Sequence, residues 1–146
     1  MKKYLEIIGC LLLAIVMYIY LDSNNNPVSN SELICVDGKL KEKPFHQEGF
    51  DIQSYIRINL NDDNRNYELT DCAYDASTKE SILNLQPGND LKIFIKQEDK
   101  NNSKVNVFAL ICNGSKVLNL DDFNQCYTTR GQKFKPLIII LVGFFC

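Results

Sequence analysis

The residues in this chain with chemistry to offer are six cysteines, one histidine and two pairs of adjacent aspartates. Cys35, Cys72, Cys112 and Cys126 lie in the polar middle of the chain, an even number that reads as up to two disulfides in an oxidising compartment. No two cysteines have C-x-x-C spacing and His46 stands alone, so neither a zinc site nor a cysteine–histidine nucleophile is expected, and no metal or cofactor is implied. Asp62, Asn64, Asn66 and Glu68 alternate like the opening of a calcium loop, but the required glycine is Tyr67 and the closing glutamate is Ala73. Asp62-Asp63 and Asp121-Asp122 are adjacent acids in turns, where the ordinary reading is solvated charge. There is no G-x-S-x-G, P-loop, dinucleotide fingerprint or H-E-x-x-H. The expectation is therefore not an enzyme. The candidates for ligand binding are Tyr55, Arg57, Tyr67 and Tyr74, because tyrosine and arginine are favoured at binding hot spots and these four belong to neighbouring predicted strands.

The elements that position these residues sit between two apolar ends. Lys2 and Lys3 precede Ile7 to Leu21, in which all fifteen residues but Gly9 are hydrophobic, and Asp22-Ser23-Asn24-Asn25-Asn26-Pro27 is abruptly polar. The exit has no small-residue cleavage site, so residues 1–22 read as an uncleaved signal anchor, a transmembrane helix with its N-terminus in the cytoplasm. Ile7-Ile8-Gly9-Cys10 matches a lipobox only superficially, since most of the apolar run follows the cysteine instead of preceding it. Residues 23–31 form a polar linker and residues 32–130 the folded domain. Residues 136–146 are a hydrophobic tail: as a helix its ten residues after Pro136 reach about 15 Å, which reads as a truncated second transmembrane helix, with a two-sided core strand as the alternative. From Asp22 to Pro136 the chain has 14 basic and 17 acidic residues, a net charge of −3. On that ground nucleic acid is not expected as a partner.

Within the domain, Leu33-Ile34-Cys35-Val36 opens a strand and Gly38 allows a bend. Phe50 to Leu60 is the clearest strand, with Ile52, Ile56, Ile58 and Leu60 on one face and Tyr55, Arg57 and Asn59 on the other. Residues 61–66 form a turn and Tyr67 to Tyr74 returns. Ser77-Thr78-Lys79-Glu80 matches a capping box and starts a short helix that ends before Pro87-Gly88. Leu91 to Ile95 and Val105 to Ile111 alternate as further strands, Asn113-Gly114 is a hairpin turn into Val117 to Leu120, and Asp121-Asp122-Phe123 reads as a turn or short terminal helix.

A helix between the third and fourth strands is the order of an OB-like barrel, so the predicted fold is mainly β with one short helix. The stretch Leu85-Gln86-Pro87-Gly88-Asn89-Asp90-Leu91 before a strand, then Asn113-Gly114-Ser115-Lys116-Val117-Leu118, between two hydrophobic ends, resembles small uncharacterised bacterial membrane proteins with an extracytoplasmic OB-like domain. That resemblance implies the bacterial inner membrane, with the domain on the periplasmic or extracellular side. Four cysteines allow three pairings. Parallel closure of the barrel by the third and fifth strands favours Cys72 with Cys112 and Cys35 with Cys126. The function expected is a membrane-anchored binding module whose partners are the membrane and a protein or small ligand. The alternatives are a structural subunit of a membrane complex or an extracytoplasmic hydrolase using Asp62 and Asp63.

Overall fold

Alternating apolar residues require two surfaces, one for a core and one for water, and eight short strands meet that requirement here with two four-stranded sheets. A computed structural model describes Gly9, Leu12, Ile15, Val16 and residues 27–48 and 54–129. The chain divides into two compact units, Val28–Asn124 and a second made of Met1–Pro27 with Gln125–Cys146.

In Val28–Asn124 the strands are β1 (Leu33–Lys39), β2 (Phe45–Glu48), β3 (Ser54–Ile58), β4 (Asn66–Thr70), β5 (Asp90–Lys96), β6 (Lys104–Asn106), β7 (Ala109–Cys112) and β8 (Ser115–Leu118). One sheet has the order β1-β5-β7-β8 and the other β2-β3-β4-β6. All pairings are antiparallel except β4 with β6, where Tyr67 faces Val105 in parallel register. The run from Lys104 to Cys112, which alternation alone presents as one strand, changes sheet at its centre. Val107 donates its amide to the Glu68 carbonyl (3.0 Å), and the next amide, that of Phe108, goes to the Phe94 carbonyl of the other sheet (2.9 Å). Leu40, just past β1, bridges to Leu60, just past β3, so the first strand also reaches both sheets. The fold is mainly β, and its strand order is OB-like.

The apolar face of β3 is buried as its pattern requires: Ile56, Ile58 and Leu60 pack with Leu69, Leu91, Ile93, Ile95 and Leu110 in one core. Gly38 lies against this core, and a Cβ there would stand 2.9 Å from Leu60 Cδ1. Helix α1 (Ala76–Leu83) begins two residues earlier than the capping box suggests. Asp75 is the cap, accepting from the Thr78 amide (2.7 Å), while the Ser77 hydroxyl donates to the same carboxylate (3.0 Å). A carboxylate at this place offers the stronger acceptor and lies favourably in the field of the helix N-terminus. Asn113 (φ 49°) and Gly114 (φ 82°) are both left-handed, the geometry of the tight hairpin their pairing predicts. Residues 120–129 are helical, so the domain has a second helix where the sequence suggests a turn or short terminal helix. Its Phe123 ring meets Phe108 edge to face, with centroids 4.8 Å apart.

In the second unit Gly9, Leu12, Ile15 and Val16 are helical, and the three apolar side chains are 53–63% exposed. The remainder of the expected anchor at 1–22, residues 23–26 of the linker and the tail at 136–146 lie outside the described residues, as do residues 49–53 of the long predicted strand. Among the described residues no helix is long and apolar enough to cross a membrane.

Candidate ligand-binding face

Strand register sets which side chains share a surface. On the β2-β3-β4-β6 sheet, Phe45 stands opposite Arg57, Arg57 opposite Glu68, and Glu68 opposite Asn106, forming one row across the outer face. Tyr55 lies one pleat away, between Gln47 and Thr70. The row is held from its middle. Arg57 Nη2 donates to Glu68 Oε1 and to the Tyr55 hydroxyl, each at 3.1 Å. The guanidinium carbon sits 5.4 Å from the centroids of both the Phe45 and Tyr55 rings, so the cation lies against two aromatic π-systems. The side chains of Arg57 and Glu68 are 21% and 16% exposed, which screens the pair much less than a surface ion pair. Arg57 Nε is buried without an acceptor among the described residues, an unsatisfied donor of the kind that native proteins rarely retain. Phe45, 40% exposed, is the apolar ring that this arrangement leaves open to solvent.

Two of the four sequence-derived binding candidates, Tyr55 and Arg57, are thus brought into direct contact. The other two lie apart from that contact. Tyr67 is 0% exposed, since it pairs with Ile58 and points with it into the core. Its hydroxyl donates to Asp63 Oδ2 at 2.6 Å. Burial, reinforced by that hydrogen bond, holds the phenol well above its ordinary range. The signal was present in the sequence: Tyr67 has the same parity as Leu69. Tyr74 lies beyond the end of β4 with its hydroxyl buried, and burial raises its pKa, with Ser54 and Asp71 the polar groups beside it. Phe45 and Glu68 were missed as site residues. Nothing local marks Phe45, which follows Pro44 in a stretch without alternation, and only register places it beside Arg57.

Asp63, a proposed catalytic acid of the hydrolase alternative, is fully engaged. Arg65 donates to it from Nη2 (2.7 Å), from Nε to both carboxylate oxygens (3.0 and 3.1 Å) and from its backbone amide (2.9 Å). Hydrogen bonds from Arg65 hold the Asp63 carboxyl far below the usual carboxylate range. Arg65 Nη1 also donates to the Lys100 carbonyl (3.0 Å), tying the β3–β4 turn to the turn after β5. This is a structural pin. No three His, Cys, Asp or Glu side chains among them converge as a metal site.

The cysteine pairing expected from barrel closure is also corrected. Cys72 is bonded to Cys126, while Cys35 is free and exposed and Cys112 free and buried. The change of sheet at Val107 and Phe108 explains the failure. Parallel closure ends at β6, and Cys112 is carried away on β7 to face Leu91 of β5. Burial raises the pKa of both free thiols.

No family model and no curated protein matches the chain. Among solved structures, the ZRD-deleted mutant of TiaS in complex with agmatine is similar at a TM-score of 0.39 and 12% identity, covering 57% of this chain, which spans only 21% of that one. A small single-stranded DNA-binding protein from Streptomyces coelicolor is similar at a TM-score of 0.36 and 12% identity, covering 60% of this chain and 94% of that one. The expectation that nucleic acid is no partner, drawn from net charge, is withdrawn. The physical weakness lay in the averaging, because a net charge sums over all faces of a domain while a ligand meets one. At these scores neither likeness says what this chain binds.

Proposed function

We propose that the protein is a membrane-anchored binding module: an OB-like barrel held outside the bacterial inner membrane by the apolar segment 7–21, presenting Phe45, Tyr55, Arg57 and Glu68 to a protein or small ligand. The observation that carries the reading is the Arg57 guanidinium, fixed between two aromatic rings and a carboxylate, beside an exposed Phe45. A ring already flanked by an immobilised cation loses little side-chain entropy when a ligand covers it. Aromatic residues and arginine are also those that dominate binding energy. Two features support the location. Lys2 and Lys3 favour a cytoplasmic N-terminus, and the Cys72–Cys126 disulfide fits an oxidising compartment.

The test places a photo-crosslinking residue at position 45 in the full chain in native membranes, with position 116 on the other sheet as control. A defined adduct from position 45, lost in Arg57→Ala and absent from position 116, is the expected result. Equal labelling at both positions, or labelling indifferent to Arg57, removes this face from consideration.

A further inference from the structure

Hydrogen bonds just past β1 show which way each residue of that strand turns its backbone. Leu40 donates its amide to the Asn89 carbonyl (2.9 Å) and accepts from the Gly88 amide (2.8 Å), so its polar groups face the β5 side. Lys39 and Lys41 face the other way: the Lys39 carbonyl accepts from the Asn61 amide (2.8 Å) and the Lys41 amide donates to the Asn59 carbonyl (2.9 Å). Successive residues of an antiparallel ladder turn these groups to opposite sides. Ile34, Val36 and Gly38 therefore serve β5, while Leu33, Cys35 and Asp37 turn theirs to the outer edge. The Leu33 amide is taken up by the Asn30 carbonyl. Among the described residues nothing pairs with the remainder of that edge before the Lys39–Asn61 bond. Leu33–Asp37 has no proline or bulge and a single charged residue, so it lacks most of the devices that keep an edge strand from pairing. Cys35 is exposed at its centre, and Ile34 and Val36 on either side are only partly buried against the core.

We propose that two copies of this chain pair antiparallel along Leu33–Asp37, about a two-fold axis at Cys35, and so join their β1-β5-β7-β8 sheets into one continuous sheet. The edge is self-complementary in this register. Cys35 meets Cys35 of the second copy and Leu33 meets Asp37, so all three outward-facing residues find outward-facing partners. A shift by two positions sets one of them against Lys39, whose carbonyl is already bonded to Asn61, or against Ser31 in the turn before β1. The intervening positions bring Ile34 beside Val36 of the second copy, twice, as closely spaced β-branched pairs that cover apolar surface each copy leaves partly exposed. No like charges stand opposite one another, since Asp37 faces Leu33 and Lys39 faces Ser31. Such an interface uses one patch twice, the commonest symmetry of soluble oligomers. The association needs no covalent bond, and the Phe45–Arg57 face lies on the other sheet, so the proposal is independent of the binding reading above.

The experiment uses the full chain with Cys10→Ser and Cys146→Ser to prevent stray links, keeps the Cys72–Cys126 bond and the buried Cys112, and treats whole cells with copper–phenanthroline, which oxidises two facing thiols to a disulfide. Residues in a hydrogen-bonded antiparallel pair have Cα atoms about 5.5 Å apart, within the range of about 4.4–6.8 Å that a disulfide spans. The expected result is a dimer linked through Cys35 and reversed by reductant. Cys35→Ser combined with Asp37→Cys, or with Lys39→Cys, should lose it, because pairing about Cys35 sets those positions about 14 Å and about 27 Å from their own copies. Asp37→Pro should lose it too: the ring removes an amide on the outer edge and leaves the ladder to β5 intact, which is where a strand tolerates proline. Recovery of the Cys72–Cys126 bond and an unchanged urea midpoint check that this variant folds; where it does not, the thiol positions decide alone. Equal crosslinking from all three positions, no dimer through Cys35, or a dimer that survives in folded Asp37→Pro overturns the proposal and leaves the Phe45 face untouched.

Discussion

Replacing Asp63 by Asn tests whether the ion-pair pin at the β3–β4 turn stabilises the barrel through charge. The carboxylate is 18% exposed and accepts from three donors of Arg65 and from the Tyr67 hydroxyl. Asparagine keeps one acceptor oxygen, removes the charge and turns an N–H₂ toward the guanidinium. Hydrogen bonds to a charged group contribute about 1.5–3 kcal/mol. Breaking a fully buried pair costs about 3–5 kcal/mol. With partial exposure and one acceptor retained, the loss is about 2 kcal/mol at neutral pH. For a domain of this size that corresponds to a fall of about 10 °C in Tm. The pH dependence gives the sign. The folded carboxyl titrates far below its unfolded value of about 3.9. Its stabilisation is therefore fully present above that unfolded value and is lost as pH falls toward the folded one. Urea denaturation of parent and Asp63→Asn at a series of pH values from 7 to 3 should show a gap of about 2 kcal/mol that narrows below pH of about 4. A gap that stays constant across the series, or is below about 0.5 kcal/mol at pH 7, refutes the charge argument and leaves Asp63 as a solvated turn residue.

Two further outcomes follow from the barrel. Mapping of the unreduced protein should recover Cys72 linked to Cys126, with Cys35 alkylated quickly and Cys112 only on unfolding; the double Cys→Ser change at 72 and 126 should cost about 3–4 kcal/mol in denaturant, given the length of the closed loop. Gly38→Ala should destabilise by about 1–2 kcal/mol in the same assay, because Leu60 Cβ at 3.3 Å as well as Cδ1 at 2.9 Å must move within a filled core, and an unchanged midpoint would show that Leu60 has room.

Local chemistry made much of this architecture readable in advance. The alternation of Ile56, Ile58 and Leu60 with Tyr55, Arg57 and Asn59, the Asn113-Gly114 turn and a helix before the strand that opens at Asp90 each depend on a few adjacent residues. Backbone sterics and side-chain parity act at that range. Parallel closure by the third and fifth strands followed from the order of those elements. The chain also marks by itself the two apolar ends and the polar domain between them.

What only the tertiary structure decided depends on residues distant in sequence. Alternation already gave Tyr67 the parity of Leu69, but only the packed structure brings its hydroxyl onto Asp63 and sets Tyr55 against Arg57. The cysteine pairing turned on one change of sheet, between Val107 and Phe108, which no local pattern marks because the apolar alternation runs through it. Phe45 joined Arg57, and Glu68 completed the row, through cross-strand register alone. Composition could count charges but not apportion them among faces. That is why the net charge could not exclude a partner, and why the candidate site rests on four side chains whose relation exists only once the sheet has formed.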